Sequence, residues 1–204
     1  MSIVSNISPL APKNFPIMHS ISGVRFATAN AGIKSGDSED ATLILLEPET
    51  VIAGLFTSSM TRSAPVIDCQ NKIGINLENT GAAIIVNSGN ANAFTGRHGE
   101  LAVREIIAEL STRVQIPVER IFSSSTGVIG ELLEYQKIIN VFDYLVDSLH
   151  VSKIENAARA IMTTDTFPKG SSVKVRSSGG KITISGIAKG LSLIHISEPT
   201  RHCL

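Results

Sequence analysis

The sequence predicts an α/β fold in α+β-like layers, with sheets flanked by helices, and three observations carry that expectation. A short apolar run, Ala82 to Val86, leads into a carboxamide- and hydroxyl-rich stretch and then into apolar residues at helical spacing. The same order returns with Arg120 to Phe122, the polar stretch Ser123 to Glu131, and a helical pattern reaching Leu149. Farther on, Val173 to Val175 and Ile182 to Ser185 flank Ser178-Gly179-Gly180 as the arms of a hairpin.

Taken in order, Met1 to Ser22 is irregular because Pro9, Pro12 and Pro16 block regular structure. Val24 to Asn30, Thr42 to Leu46 and Val51 to Phe56 read as strands, the last two joined by the turn Glu47-Pro48-Glu49-Thr50. Ala82 to Val86 is apolar throughout, as a buried strand is, and Asn87 to Gly96 reads as a loop. Val103, Ile106, Ile107, Leu110 and Val114 then share one helical face, with Arg104, Glu105 and Glu109 elsewhere. This is a surface helix lying on a sheet. After the strand Arg120 to Phe122 and its polar loop comes one helix carrying Ile138, Ile139, Phe142, Leu145, Val146 and Leu149. A further helix, Ile154 to Met162, runs into Thr163-Thr164-Asp165-Thr166-Phe167-Pro168-Lys169, and the last strand ends at Gly186 to Gly190. With no long-range repeat and no low-complexity linker, one domain is expected. Its two polar loops leave neighbouring strand ends, where ligands gather in layered α/β folds.

Composition removes several function classes. Of 204 residues, 43% are hydrophobic, and 18 Lys+Arg balance 18 Asp+Glu, so no basic field exists to attract nucleic acid or anionic lipid. No apolar run approaches the roughly 18 residues of a membrane span, and the N-terminus lacks signal architecture. Neither a nucleic acid nor a membrane is expected as partner, and the cytoplasm is the expected compartment. Cys69 and Cys203 are too few for a disulfide framework and have no metal-ligand spacing with the histidines, so no metal site is expected.

The chemistry is narrowed mostly by elimination. Asp165 stands alone among threonines, and no paired carboxylates suggest acid–base work. His19, His98 and His150 accompany no serine elbow, and the glycines match neither the dinucleotide fingerprint nor a P-loop. What remains is a set of hydrogen-bond donors around Ser123-Ser124-Ser125-Thr126-Gly127-Val128-Ile129-Gly130-Glu131, with Lys189 at the end of the last strand. Backbone N–H groups in a glycine-containing turn beside a helix N-terminus form a nest that meets negative charge developing on a carbonyl oxygen. The inventory suits acyl transfer with a nucleophile from elsewhere. On spacing alone it also fits an ordinary strand-to-helix turn, with Gly supplying an unusual backbone angle and Ser or Thr capping the helix.

In-register segments separate these readings. Gly23 to Pro65, including Ala31-Gly32-Ile33-Lys34 and Gly54-Leu55-Phe56-Thr57, continues to Val66 and is followed by Val86 to Ala93, Ser125 to Gly130, Met162 to Thr166 and Gly186 to Gly190. Together they resemble the ornithine acetyltransferase family, glutamate N-acetyltransferases of arginine biosynthesis that are often bifunctional as N-acetylglutamate synthases. The resemblance implies an αββα-type fold, incomplete here, and a precursor that cuts itself before a threonine. That threonine takes acetyl from N-acetylornithine and passes it to glutamate, with its new amino terminus as base. It also implies oxyanion stabilisation by Thr126 and Gly127, substrate contacts by Thr163 and Lys189, and an assembly of two α and two β chains. No cofactor is implied, acetyl-CoA being a possible co-substrate, and in a eukaryote the compartment would be the mitochondrion. The Asn87 to Asn92 loop matches as well, without an implied catalytic role. Two alternatives are a non-catalytic domain binding a small anion or amino acid, and a relative of the self-processing aminopeptidases.

The pattern breaks after Gly190. The resemblance places the self-cleavage point about eleven residues beyond the lysine, whereas this chain continues Leu191-Ser192-Leu193-Ile194-His195-Ile196-Ser197-Glu198-Pro199-Thr200-Arg201. That tail resembles the conceptual translation of a transposase adapter used in sequencing libraries, although alternating Leu191, Leu193 and His195 would also suit a strand. The expected organisation is therefore residues 1–190 as the α-chain portion and 191–204 as a non-native tail. On that reading the nucleophile and β chain are absent, the nucleophile's role is not carried onto Thr200, the chain is inactive by itself, and its sheet exposes edges and apolar surface.

Overall fold

The computed structural model describes residues 7–8, 11–75 and 77–190; the tail from Leu191, with Cys203 and Thr200, lies outside them. A four-stranded sheet is built from β1 (Val24–Ala29), β2 (Ala41–Leu46), β3 (Ala82–Asn90) and β4 (Ile121–Val128), in that spatial order. The first two pairings are antiparallel, and β3 runs parallel to β4 with Ser88 opposite Thr126 and Gly89 opposite Gly127. A parallel pair needs a crossover, supplied by α2 (Gly96–Val114). The helix buries Ala102, Val103, Ile106, Ile107 and Leu110 against Ala27, Ala41, Leu43, Ala83, Ile85 and Ile121. Alanines on the sheet side let the larger helical side chains sit close to the strands, each fully buried Leu or Ile being worth about 2 kcal/mol. Gln115 ends α2 in the left-handed region, its N–H bonded to Ser111 O.

Several expectations change on folding. Val51 to Phe56 is not a strand. Both ladder sides of β2 are occupied by β1 and β3, and Val51 and Leu55 project to solvent at 85% and 102% exposure. The polar stretches Asn87 to Asn90 and Ser123 to Val128, expected as loops, are the C-terminal halves of β3 and β4. The helix expected through Leu149 is two, α3 (Tyr135–Ile139) and α4 (Phe142–Asp147). They break where Val141 N–H bonds Ile138 O, three residues back, instead of continuing the four-residue ladder. The apolar stripe survives the break, because Ile138, Ile139, Phe142 and Leu145 all remain buried.

An unexpected helix, α1 (Ala64–Lys72), covers the outer edge of β4. Pro65 in its first turn fits the helix start, and two of its side chains satisfy edge carbonyls: Cys69 Sγ donates to Ser123 O at 3.2 Å and Lys72 Nζ to Ile121 O at 3.3 Å. The opposite edge is met at Phe26, which exchanges two backbone hydrogen bonds with His150. Each edge of the four-stranded sheet is thus partly covered. On the other face α5 (Ile154–Ala160) packs Ile154 and Ala157 against Phe26, beside Ile187 of the hairpin β5 (Lys169–Ser177) and β6 (Gly180–Ala188). No helix of the described residues is long and apolar enough to cross a membrane.

Candidate functional site

The site grows from an irregularity in the parallel ladder. The β3–β4 register shifts at Gly89 and Asn90, a bulge that re-aims the end of β4. Gly127 has φ +138°, and a Cβ there would overlap the Gly89 carbonyl and Asn90 nitrogen, so this crossing admits only glycine. Thr126 is half-buried, and its hydroxyl has no hydrogen-bond partner among the described residues. Gly127 is exposed. Carboxamides from the neighbouring strand hold the bulge in place. Asn87 Nδ2 donates to Asn90 O at 2.9 Å, Ser125 Oγ donates to Asn87 Oδ1 at 2.6 Å, and Asn90 Nδ2 reaches Glu131 O at 3.1 Å. Asn92 takes the next link, its N–H on Asn90 Oδ1 at 2.7 Å and its side chain on Gly99 O at 3.1 Å. Asn87, Asn90 and Asn92 therefore brace this end of the sheet, a role their polarity alone did not specify.

The helix-terminus part of the expected nest is not built. The next helix starts only at Tyr135 and is five residues long, so any anion stabilisation must come from the bulged strand itself.

A second set of bonds ties the bulge to α5. Ser88, opposite Thr126, donates from Oγ to Ala160 O at 2.5 Å. Lys34 lies alongside Gly89 and donates from Nζ to Ala160 O at 3.4 Å and Met162 O at 3.3 Å, capping the carbonyl end of the helix. Burial pushes its ammonium below the usual lysine range, against the attraction of Asp40 and Glu39. Asp40 is itself buried and holds the Lys34 loop by accepting N–H bonds from Ala31, Ile33 and Lys34 at 2.6 to 2.8 Å.

Met162 leads directly to Thr163, where the chain meets the end of β6. The organiser there is Asp165, whose side chain is 2% exposed. Oδ1 accepts from Gly190 N–H at 2.5 Å and Lys169 Nζ at 2.6 Å, and Oδ2 accepts from Thr163 N–H at 3.4 Å. Lys189 Nζ lies 4.0 Å from Oδ2 and donates to Gly190 O at 3.1 Å. Burial pushes this carboxyl upward, but the bonds from Lys169, Gly190 and Thr163 outweigh it and hold it below the usual aspartate range.

The four residues singled out from sequence thus fall into two pairs, Thr126 with Gly127 and Thr163 with Lys189. No hydrogen bond among the described residues joins the pairs directly; Ser88 and Lys34 connect them through Ala160 and Met162. Sequence reading missed Lys34, Ser88 and Asp165 as organisers. Lys169 four residues after Asp165 was the available signal for the last. Cys69 is a packed edge residue whose thiol burial pushes up, and His98 spends Nε2 on Leu133 O at 3.1 Å. Among the described residues no cluster of His, Cys, Asp or Glu could hold a metal ion.

This combination, a helix-flanked mixed sheet with a glycine-dependent bulge at two parallel strand ends, defines an α/β protein with a strand-end donor site. The ArgJ family model matches residues 25–200, and the chain belongs to the ArgJ family. It is 47% identical over 194 residues to the arginine biosynthesis bifunctional protein ArgJ of Ruegeria pomeroyi, covering 95% of this chain and 47% of that protein. The Bartonella quintana counterpart is 42% identical over 188 residues, 92% of this chain and 45% of that one. The chain therefore spans about half the length of the curated relatives it matches. Among solved structures, ArgJ from Bacillus halodurans superposes with a TM-score of 0.76 at 30% identity, covering 85% of this chain and 90% of that one. Ornithine acetyltransferase from Mycobacterium tuberculosis, complexed with ornithine, gives 0.74 at 30% identity over 84% and 90%.

Proposed function

We propose that this chain supplies the oxyanion and donor-binding part of an acetyltransferase that moves acetyl from N-acetylornithine to glutamate. In this reading a threonine hydroxyl attacks the acetyl carbonyl, ornithine leaves with its amine reprotonated, and the glutamate amine then attacks the threonine ester and restores the hydroxyl. Each attack puts negative charge on the carbonyl oxygen, where Thr126 and Gly127 are the donors. Thr163 and Lys189 contact the substrate. The observation that carries the reading is the bulged end of β4, where an exposed Gly127 and a Thr126 hydroxyl with no hydrogen-bond partner among the described residues stand on a braced strand. A structural neighbour described as complexed with ornithine supports a ligand of that type.

The nucleophile, and part of the glutamate end of the site, belong to the half of the relatives' length that this chain does not span. Two α and two β chains form the assembly, in the cytoplasm or, in a eukaryote, in the mitochondrion. The chemistry asks for no cofactor; acetyl-CoA would enter only as a second acetyl donor. Titration of the isotopically labelled chain with N-acetylornithine, followed amide by amide, tests the site. Shifts should concentrate at Thr126, Gly127, Thr163 and Lys189, and saturation that leaves all four unmoved would refute it.

A further inference from the structure

We infer that Asp165 is a positioning residue for the donor end of this site, fixing Thr163 and Lys189 in one arrangement; the inference rests on the substrate-contacting roles proposed above. The carboxylate is almost wholly buried, yet its partners come from two stretches of chain 25 residues apart, the loop after α5 and the end of β6. Lys169 alone, at 2.6 Å, would neutralise its charge. The bonds from Gly190 and Thr163 are additional and connect the two stretches. The contact is close enough that a Cβ on Gly190 would overlap Asp165 Oδ1, so glycine at 190 and aspartate at 165 depend on one another.

Lys189 is held by the same contact. Its ammonium sits 4.0 Å from Asp165 Oδ2 and gives one of its three N–H groups to Gly190 O. Its side chain is 25% exposed, and its ammonium makes no other hydrogen bond among the described residues. Thr163 is fixed from the backbone side, through the N–H that Asp165 accepts, which leaves its hydroxyl without an internal partner among the described residues. One buried carboxylate thereby aims a hydroxyl and an ammonium from different elements, while making no claim on a ligand itself.

Asp165→Asn, which keeps the shape and removes the charge, tests this in the 204-residue chain. Two readouts are taken together: amide hydrogen exchange and the affinity for ornithine by calorimetry. The expected result is exchange at Thr163 and Gly190 faster by about tenfold or more, with β3 amides unchanged, and ornithine affinity weaker by about tenfold. Asp165→Glu, which keeps the charge but moves it by one methylene, should fall between the two and serves if the asparagine variant does not fold. Wild-type chain that fails to bind ornithine overturns the site reading and the inference with it. Wild-type binding retained at full strength in a folded variant overturns the positioning role alone.

Discussion

Gly127 is where the backbone is most tightly determined. Its φ of +138° and its contact with Gly89 and Asn90 leave no room for a methyl group. Gly127→Ala should therefore cost about 2–4 kcal/mol through overpacking and backbone strain, read as a lower midpoint in chemical denaturation with an unchanged slope. An unchanged midpoint would mean that the bulge is not rigid. Asp165 makes a different kind of prediction. Because its folded pKa lies below the unfolded value, the group binds fewer protons folded than unfolded in that interval, and stability rises with pH there. Its contribution is complete above the unfolded pKa of about 3.9 and is lost as pH falls through the folded value. Asp165→Asn should flatten the stability profile below about pH 4; a profile parallel to wild type would contradict the bonding around this carboxylate.

At the scale of elements, Arg120 joins segments that have no ladder in common. It is 3% exposed and donates to Thr50 O at 2.6 Å, Ile75 O at 3.3 Å and Gly81 O at 3.4 Å, stapling the stretch after β2 to the approach to β3. Arg120→Met strands these carbonyls and should cost about 2–3 kcal/mol, with exchange accelerated at the amides around Thr50 and Gly81. Uniform protection throughout would show that the staple is dispensable. Strands with an unbroken apolar run or a clear alternation were legible in the sequence, as were α2 and α5, because burial on one face writes itself as periodicity. Val51 to Phe56 was misread because its composition is that of a strand while no ladder position remained beside β2. The ends of β3 and β4 were read as loops for the opposite reason: carboxamides and hydroxyls look like turn residues, but here they spend their bonding on one another across the sheet. α1 carries only a weak apolar stripe, and its purpose, donating to the edge of β4, depends on a strand far along the chain. Of the site, the candidate residues were legible through family resemblance. Their bracing by Ser88 and Lys34 was not, since both act through backbone carbonyls that any residue could present, and Asp165 showed only through Lys169 four residues on.

For the molecule as a whole, one half of the candidate site lies at the end of the four-stranded sheet and the other in the loop after α5 and just beyond β6, with α5 between them. Ser88 Oγ and Lys34 Nζ both end on its terminal carbonyls, so movement of α5 would be felt at the bulge and at Thr163 together. Ser88→Ala should cost about 1 kcal/mol and raise exchange in α5 more than in β2. The central claim is that Thr126 and Gly127 stabilise the oxyanion of acetyl transfer. It is tested most directly in a chimera whose residues 1–190 are followed by the remaining half of the Ruegeria pomeroyi relative, measuring exchange of labelled ornithine into N-acetylornithine. Exchange should fall about a hundredfold in kcat with Thr126→Val while KM stays near its original value. Exchange at an unchanged rate in that variant, from a correctly folded and self-cleaved protein, would contradict it.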